Sequence, residues 1–107
     1  MPTGVLLAIA IAAEVAATVS LRSVDGLSRP LPLAIVVVGY GASFWLLSLV
    51  LKHLSVGTTY AIWAGTGTAA IALIGIVALG EPATALKLAS IALIVAGVIG
   101  LNLSGAH

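Results

Sequence analysis

In 107 residues the chain carries only 4 Lys and Arg and 3 Asp and Glu, a charged share of 7% against 62% hydrophobic, where a soluble domain averages about 25% charged. So little charge cannot keep that much apolar surface in water, and disorder, which needs low hydrophobicity and high net charge, fails for the opposite reason. A formal net charge of +1 and no Cys leave no basic patch for nucleic acid, no disulfide framework and no thiolate metal site; the composition is that of a membrane protein.

The first apolar stretch, residues 1–21, is interrupted by one acid, Glu14. It lacks the basic start of a cleaved signal peptide. A turn-rich link from Arg22 to Arg29 follows, and Pro30 and Pro32 suit the first turn of the next helix. Residues 30–51 carry no charged side chain; at about 1.5 Å per residue that run crosses a hydrocarbon core of about 30 Å. Lys52 to Gly57 forms the second link, with cations at the carbonyl end of the preceding span. A third uncharged run, residues 54–80, closes on Gly80-Glu81-Pro82, where Gly ends a helix and Pro cannot continue it. Residues 88–106 form the last uncharged run.

A transmembrane β-barrel needs segments that alternate apolar and polar. Val36 to Tyr40 and Ala69 to Val77 do not alternate. The fold expected is an all-α membrane protein: one transmembrane domain over residues 1–107, four helices near 3–21, 31–52, 58–79 and 85–103, and almost no soluble portion. The first and third links carry Arg22, Arg29 and Lys87, the second only Lys52. The positive-inside rule therefore gives a weak orientation bias.

Glu14 is the most informative residue. A charge at the centre of a membrane helix is unfavourable by about 2.5–3.5 kcal/mol on insertion scales, so intramembrane acids are read as functional. Helical spacing puts Ala10, Ala17, Thr18 and Leu21 on its face, small residues that leave space for a partner helix or a bound molecule. The same periodicity groups Tyr40, Ser43, Phe44 and Leu47 in the second span, and Tyr60, Trp63, Ala64 and Gly67 in the third. Three aromatic side chains and one acid suit an organic cation, which is attracted to Trp and Tyr faces most strongly when desolvated. Tyr60, near a span's end, fits an interfacial belt equally well. In general a carboxyl group among lipid favours its neutral form, and a neighbouring cation favours its charged form. If Glu14 cannot hold both, a proton gradient drives the cation the other way.

In the fourth span Ala92, Ala96 and Gly100 recur at helical spacing, with Ser90 and Gly97 on a neighbouring strip, a pattern that lets helices approach closely and marks dimer contacts. Gly65-Thr66-Gly67 reads as a bend near Trp63. His53 and His107 lie at membrane edges, far apart in sequence, and read as solvated surface rather than metal ligands; no cofactor is implied.

Together Ala13-Glu14-Val15, Ala42 to Leu47, Tyr60 to Gly65 and Ala96-Gly97-Val98 resemble the small multidrug resistance family over essentially the whole chain. The resemblance implies a multi-pass protein of the bacterial inner membrane, not an enzyme, that exchanges protons for hydrophobic or quaternary-ammonium cations as an antiparallel homodimer. On matching positions, Glu14 would bind proton and cation, Tyr40, Tyr60 and Trp63 would line the site, Ser43 and Thr18 would be secondary contacts, and Gly97 with Ser90 would lie at the dimer contact. The family's guanidinium-exporting branch has a Trp three residues after the acid, where this chain has Ala17. Tyr40 belongs with the broad-specificity branch. Gly4 and Ser90 depart from the expected Tyr and Gly. The alternatives are a guanidinium-type exporter and a non-transport proton-carrying or structural membrane subunit.

Overall fold

The computed structural model describes residues 2–25 and 28–104; His107 lies outside them. The described residues form four α-helices and no strand: α1 (Thr3–Leu21), α2 (Pro30–Val50), α3 (Val56–Ala78) and α4 (Ala85–Leu103). Each is long and apolar enough to cross a membrane, so this is a multi-pass membrane protein. The helices pack as two compact units, Met1–His53 holding α1 and α2, and Leu54–His107 holding α3 and α4.

Local chemistry sets the helix ends. Pro30 occupies the start of α2, where a missing N–H costs nothing. That helix stops at Val50 rather than at 52, because the N–H groups of Lys52 and His53 turn back to the carbonyls of Leu49 and Val50, three residues earlier. The α3 helix starts at Val56, two residues before the expected 58, because the Ser55 hydroxyl accepts the Thr58 N–H and caps it. Thr84 does the same for α4 through the Lys87 N–H, at 3.1 Å.

In the first unit, Leu7, Ala10 and Ala17 of α1 and Val36, Ser43, Leu46 and Val50 of α2 are buried. The pair is antiparallel and close. A Cβ added at Gly39 would lie 2.9 Å from the Ala13 carbonyl oxygen and 2.9 Å from the Ala17 Cβ. The link between the helices is pinned by Asp25 at φ 52°, whose carbonyl accepts the Ser28 hydroxyl at 2.6 Å.

In the second unit, Gly80, at φ 71°, turns the chain so that the Glu81 N–H reaches the Gly75 carbonyl at 3.0 Å. Lys87 Nζ then lies 3.5 Å from the Glu81 carboxylate. Within the described residues of α4 only Ile91 is buried, while Leu86, Leu93 and Leu103 are exposed. The Gly65-Thr66-Gly67 segment, expected to bend, lies inside uninterrupted helix; Gly65 faces the Val98 methyl and Gly67 is buried.

Candidate functional site

In α1, Glu14 and Thr18 stand one turn apart, the spacing at which helical side chains meet. The Thr18 hydroxyl donates to Glu14 Oε1 at 2.8 Å. From α2, the Tyr40 hydroxyl lies 2.6 Å from the Thr18 oxygen. Thr18 has a single hydroxyl proton; while it gives that proton to Glu14, it accepts one from Tyr40. The order reverses if Glu14 itself carries a proton, because Glu14 then donates to Thr18 and Thr18 to Tyr40. Three residues on two helices thus form one hydrogen-bonded chain that can run either way.

The Tyr40 ring is held in turn by Phe44, one turn on, with centroids 6.2 Å apart and planes 15° apart. Phe44 shares the helix face expected for Tyr40 and Ser43, but the sequence gives it no task; stacking on Tyr40 is one. Ser43 is fully buried and donates to the Ala10 carbonyl at 2.7 Å. Ala10 and Ala17 are also fully buried. In this arrangement these three residues set the spacing between α1 and α2.

On α3, Tyr60 and Trp63 meet edge to face, with centroids 5.6 Å apart and an interplanar angle of 64°. Tyr60 is exposed, at 64%, and Trp63 is partly buried. Thr59, just before Tyr60, is buried, and its hydroxyl has no hydrogen-bond partner among the described residues. Ser90 and Gly97 of α4 are exposed, with the Ser90 hydroxyl bonded back to the Leu86 carbonyl at 2.8 Å. Among the described residues no group of His, Asp and Glu could hold a metal ion.

Each unit also carries an apolar groove. One of about 380 Å³ lies between α1 and α2, lined by Ala13, Ala16, Ala34, Ile35, Val38 and Gly39. Another, of about 180 Å³, lies between α3 and α4 around Gly65 and Ala69. Neither is lined by Glu14 or by an aromatic ring.

Gly39 was not singled out by sequence reasoning. Its signal is the run of small residues at 10, 13 and 17 in the first span, which asks for an equally small partner.

Residues 3–94 match the family model described as Small Multidrug Resistance protein. Among similar proteins, the Multidrug resistance protein Mmr of Mycobacterium tuberculosis (strain H37Rv) is 46% identical over 99 residues, 92% of each chain. The Quaternary ammonium compound-resistance protein QacE of Escherichia coli is 44% identical over 97 residues, 91% of this chain and 88% of its own. The Guanidinium exporter of Escherichia coli (strain K12) is 47% identical over 100 residues, 94% of this chain and 95% of its own. A four-helix membrane chain that matches this family along nearly its whole length belongs to the small multidrug resistance family of membrane transporters.

Proposed function

We propose that this chain is a proton-coupled antiporter that exports hydrophobic and quaternary-ammonium cations across the bacterial inner membrane, with proton and cation competing for Glu14. The observation that carries the reading is the acid in the apolar helix α1, tied through Thr18 to Tyr40. A carboxylate among lipid needs a counter-charge or a proton. A desolvated organic cation supplies the first, a proton the second, and one carboxyl group does not hold both. Loading the cation on one side releases the proton there, so an inward proton gradient drives the cation outward.

Tyr40, Tyr60 and Trp63 supply the faces that favour an organic cation over a hydrated metal ion. Ala10, Ala17 and Ser43 shape the wall from behind, and Thr18 aims the carboxylate. The working unit is an antiparallel homodimer. The small exposed residues of α4, including Ser90 and Gly97, provide the contact, and Gly65 and Gly67 let α3 flex between the two facing states. In such a dimer two Glu14 carboxyls share one site.

The relative named a guanidinium exporter is as similar as the multidrug-resistance relatives, which favours guanidinium as a second substrate reading. Ala17, where the guanidinium-exporting branch has a Trp, favours the larger cations.

The test is transport in proteoliposomes with an imposed proton gradient. Tetraphenylphosphonium uptake driven by the gradient is expected for the native chain, and Glu14→Gln is expected to reduce it to the level of protein-free vesicles while keeping the helix content. Full transport by that variant overturns the mechanism. Guanidinium uptake without tetraphenylphosphonium uptake decides for the second reading.

A further inference from the structure

Gly39 faces surroundings that cannot yield. An added Cβ would fall 2.9 Å from a carbonyl oxygen and 2.9 Å from a Cβ, the Ala13 oxygen and the Ala17 methyl. Neither can rotate away, unlike the end of a long side chain. Ordinary carbon contacts lie at about 3.5–4.0 Å, so a methyl group at position 39 would move α2 from α1 by roughly 0.5–1 Å. The next residue is Tyr40, whose hydroxyl lies 2.6 Å from Thr18 across the same seam. An O–H···O bond spans about 2.5–3.0 Å. The same separation therefore carries the phenol out of reach of Thr18.

We infer that Gly39 is a positioning residue of the Glu14 site: with Ala17, it fixes the α1–α2 spacing at which Tyr40 holds Thr18, and through Thr18 the Glu14 carboxyl group. Ala17 sets only part of that spacing, because the Ala13 carbonyl oxygen excludes a Cβ at position 39 whatever stands at position 17. The Ser43 bond to Ala10, further along the same seam at 2.7 Å, keeps the helices from tilting apart at the other end. Within α1 and α2, Tyr40 is the titratable side chain in the chain of bonds to Glu14; Lys52 and His53 lie beyond the end of α2, and Arg22, Asp25 and Arg29 lie in the link. A rearranged charge therefore does not account for an effect of bulk at position 39.

The test combines Gly39→Ala, the swap Gly39→Ala/Ala17→Gly, and Tyr40→Phe in each background. The first readout is the phenol carbon signal of protein labelled in its 2 tyrosines, with Tyr40 assigned by its loss in Tyr40→Phe. The Tyr40 signal is expected to move in Gly39→Ala and to return part of the way in the swap, which removes the methyl contact and leaves the Ala13 carbonyl contact. The second readout is tetraphenylphosphonium affinity, which rests on the function proposed above. Gly39→Ala is expected to lower it about fivefold, the worth of one net hydrogen bond. The swap restores part of it, and Gly39→Ala makes no further difference once Tyr40 is Phe.

A folded Gly39→Ala with an unmoved Tyr40 signal overturns the inference, as does an equal affinity loss in the Tyr40→Phe background. If Gly39→Ala does not fold, the swap decides, since the remaining Ala13 carbonyl contact must still displace the Tyr40 signal in a folded chain. A swap that folds with the native signal overturns the inference. Native protein that binds no tetraphenylphosphonium counts against the proposed function alone, and the tyrosine signal still decides the role of Gly39.

Discussion

The two helix pairs place their polar groups differently. Between α1 and α2 the polar side chains cross from helix to helix: Tyr40 reaches Thr18 and Ser43 reaches the Ala10 carbonyl. In the α3–α4 pair, Glu81 and Lys87 meet at the connecting turn, with side chains 47% and 32% exposed. Along their length α3 and α4 approach through apolar groups, Gly65 facing the Val98 and Ile94 methyls. Hydrogen bonds between membrane helices fix register and rotation, because an orphaned polar group in hydrocarbon is unfavourable. Methyl contacts fix neither as strongly. The first pair is therefore built to hold its polar groups in one register, and the second to present surfaces: the Tyr60–Trp63 edge on α3 and the open, small-residue face of α4.

The largest effect that separates these roles is at Trp63. If the second pair supplies a cation-facing wall, Trp63→Ala removes a cation–π contact worth about 2 kcal/mol when desolvated. Tetraphenylphosphonium binding then weakens by more than tenfold, while proton uptake and release by Glu14 persist. Isothermal titration for the drug, with proton release followed by a pH indicator, measures both. Equal loss of the two would put Trp63 in the structural support of the acid instead of in the wall, and would erase the division of labour between the pairs.

A second variant contrasts two glycines. The Cβ added at Gly65 would meet the Val98 Cγ2 at 2.8 Å, the tip of a side chain that can turn, whereas Gly39 faces backbone and a Cβ. Gly65→Ala should therefore change stability by no more than about 1 kcal/mol, since Ala is by itself the better helix former by a similar amount. Thermal unfolding in detergent checks this. It should also leave the Tyr40 signal in place, which Gly39→Ala does not. A Gly65→Ala chain destabilised as strongly as Gly39→Ala would mean that the second pair is zipped as tightly as the first.

The same contrast explains what could be read without coordinates. Four helices are legible because the bilayer demands long uncharged runs, and the gaps between Arg29, Lys52, Glu81 and His107 display them. Glu14 is legible because it is the single acid in any of those spans, and its Thr18 partner follows from one turn of helix. The tie from Thr18 to Tyr40 is not: it depends on the register and closeness of an antiparallel neighbour, set by Gly39 against Ala17, and intra-helix periodicity says nothing of that. Helix ends moved by two residues for a similar reason. The Ser55 cap and the turn at Lys52 and His53 are decided by individual hydrogen bonds, not by the hydrophobic pattern that located the span.

The smallest expected effect is at the turn of the second pair. Lys87 Nζ and Glu81 are 3.5 Å apart and both partly open to solvent, the setting in which an ion pair contributes about 0–1 kcal/mol. Two features keep the turn in place without it: the left-handed Gly80 and the Glu81 N–H bond to the Gly75 carbonyl, both backbone properties. Thr84 caps α4 through the backbone N–H of Lys87, not through its ammonium group. Lys87→Met should therefore lower the unfolding temperature by only a degree or two, an effect that shrinks further as salt screens the pair, and leave drug binding unchanged. A loss of binding in Lys87→Met that survives high salt would show that the polar groups of the second pair also act on the cation, and the contrast with the first pair would fail at its simplest point.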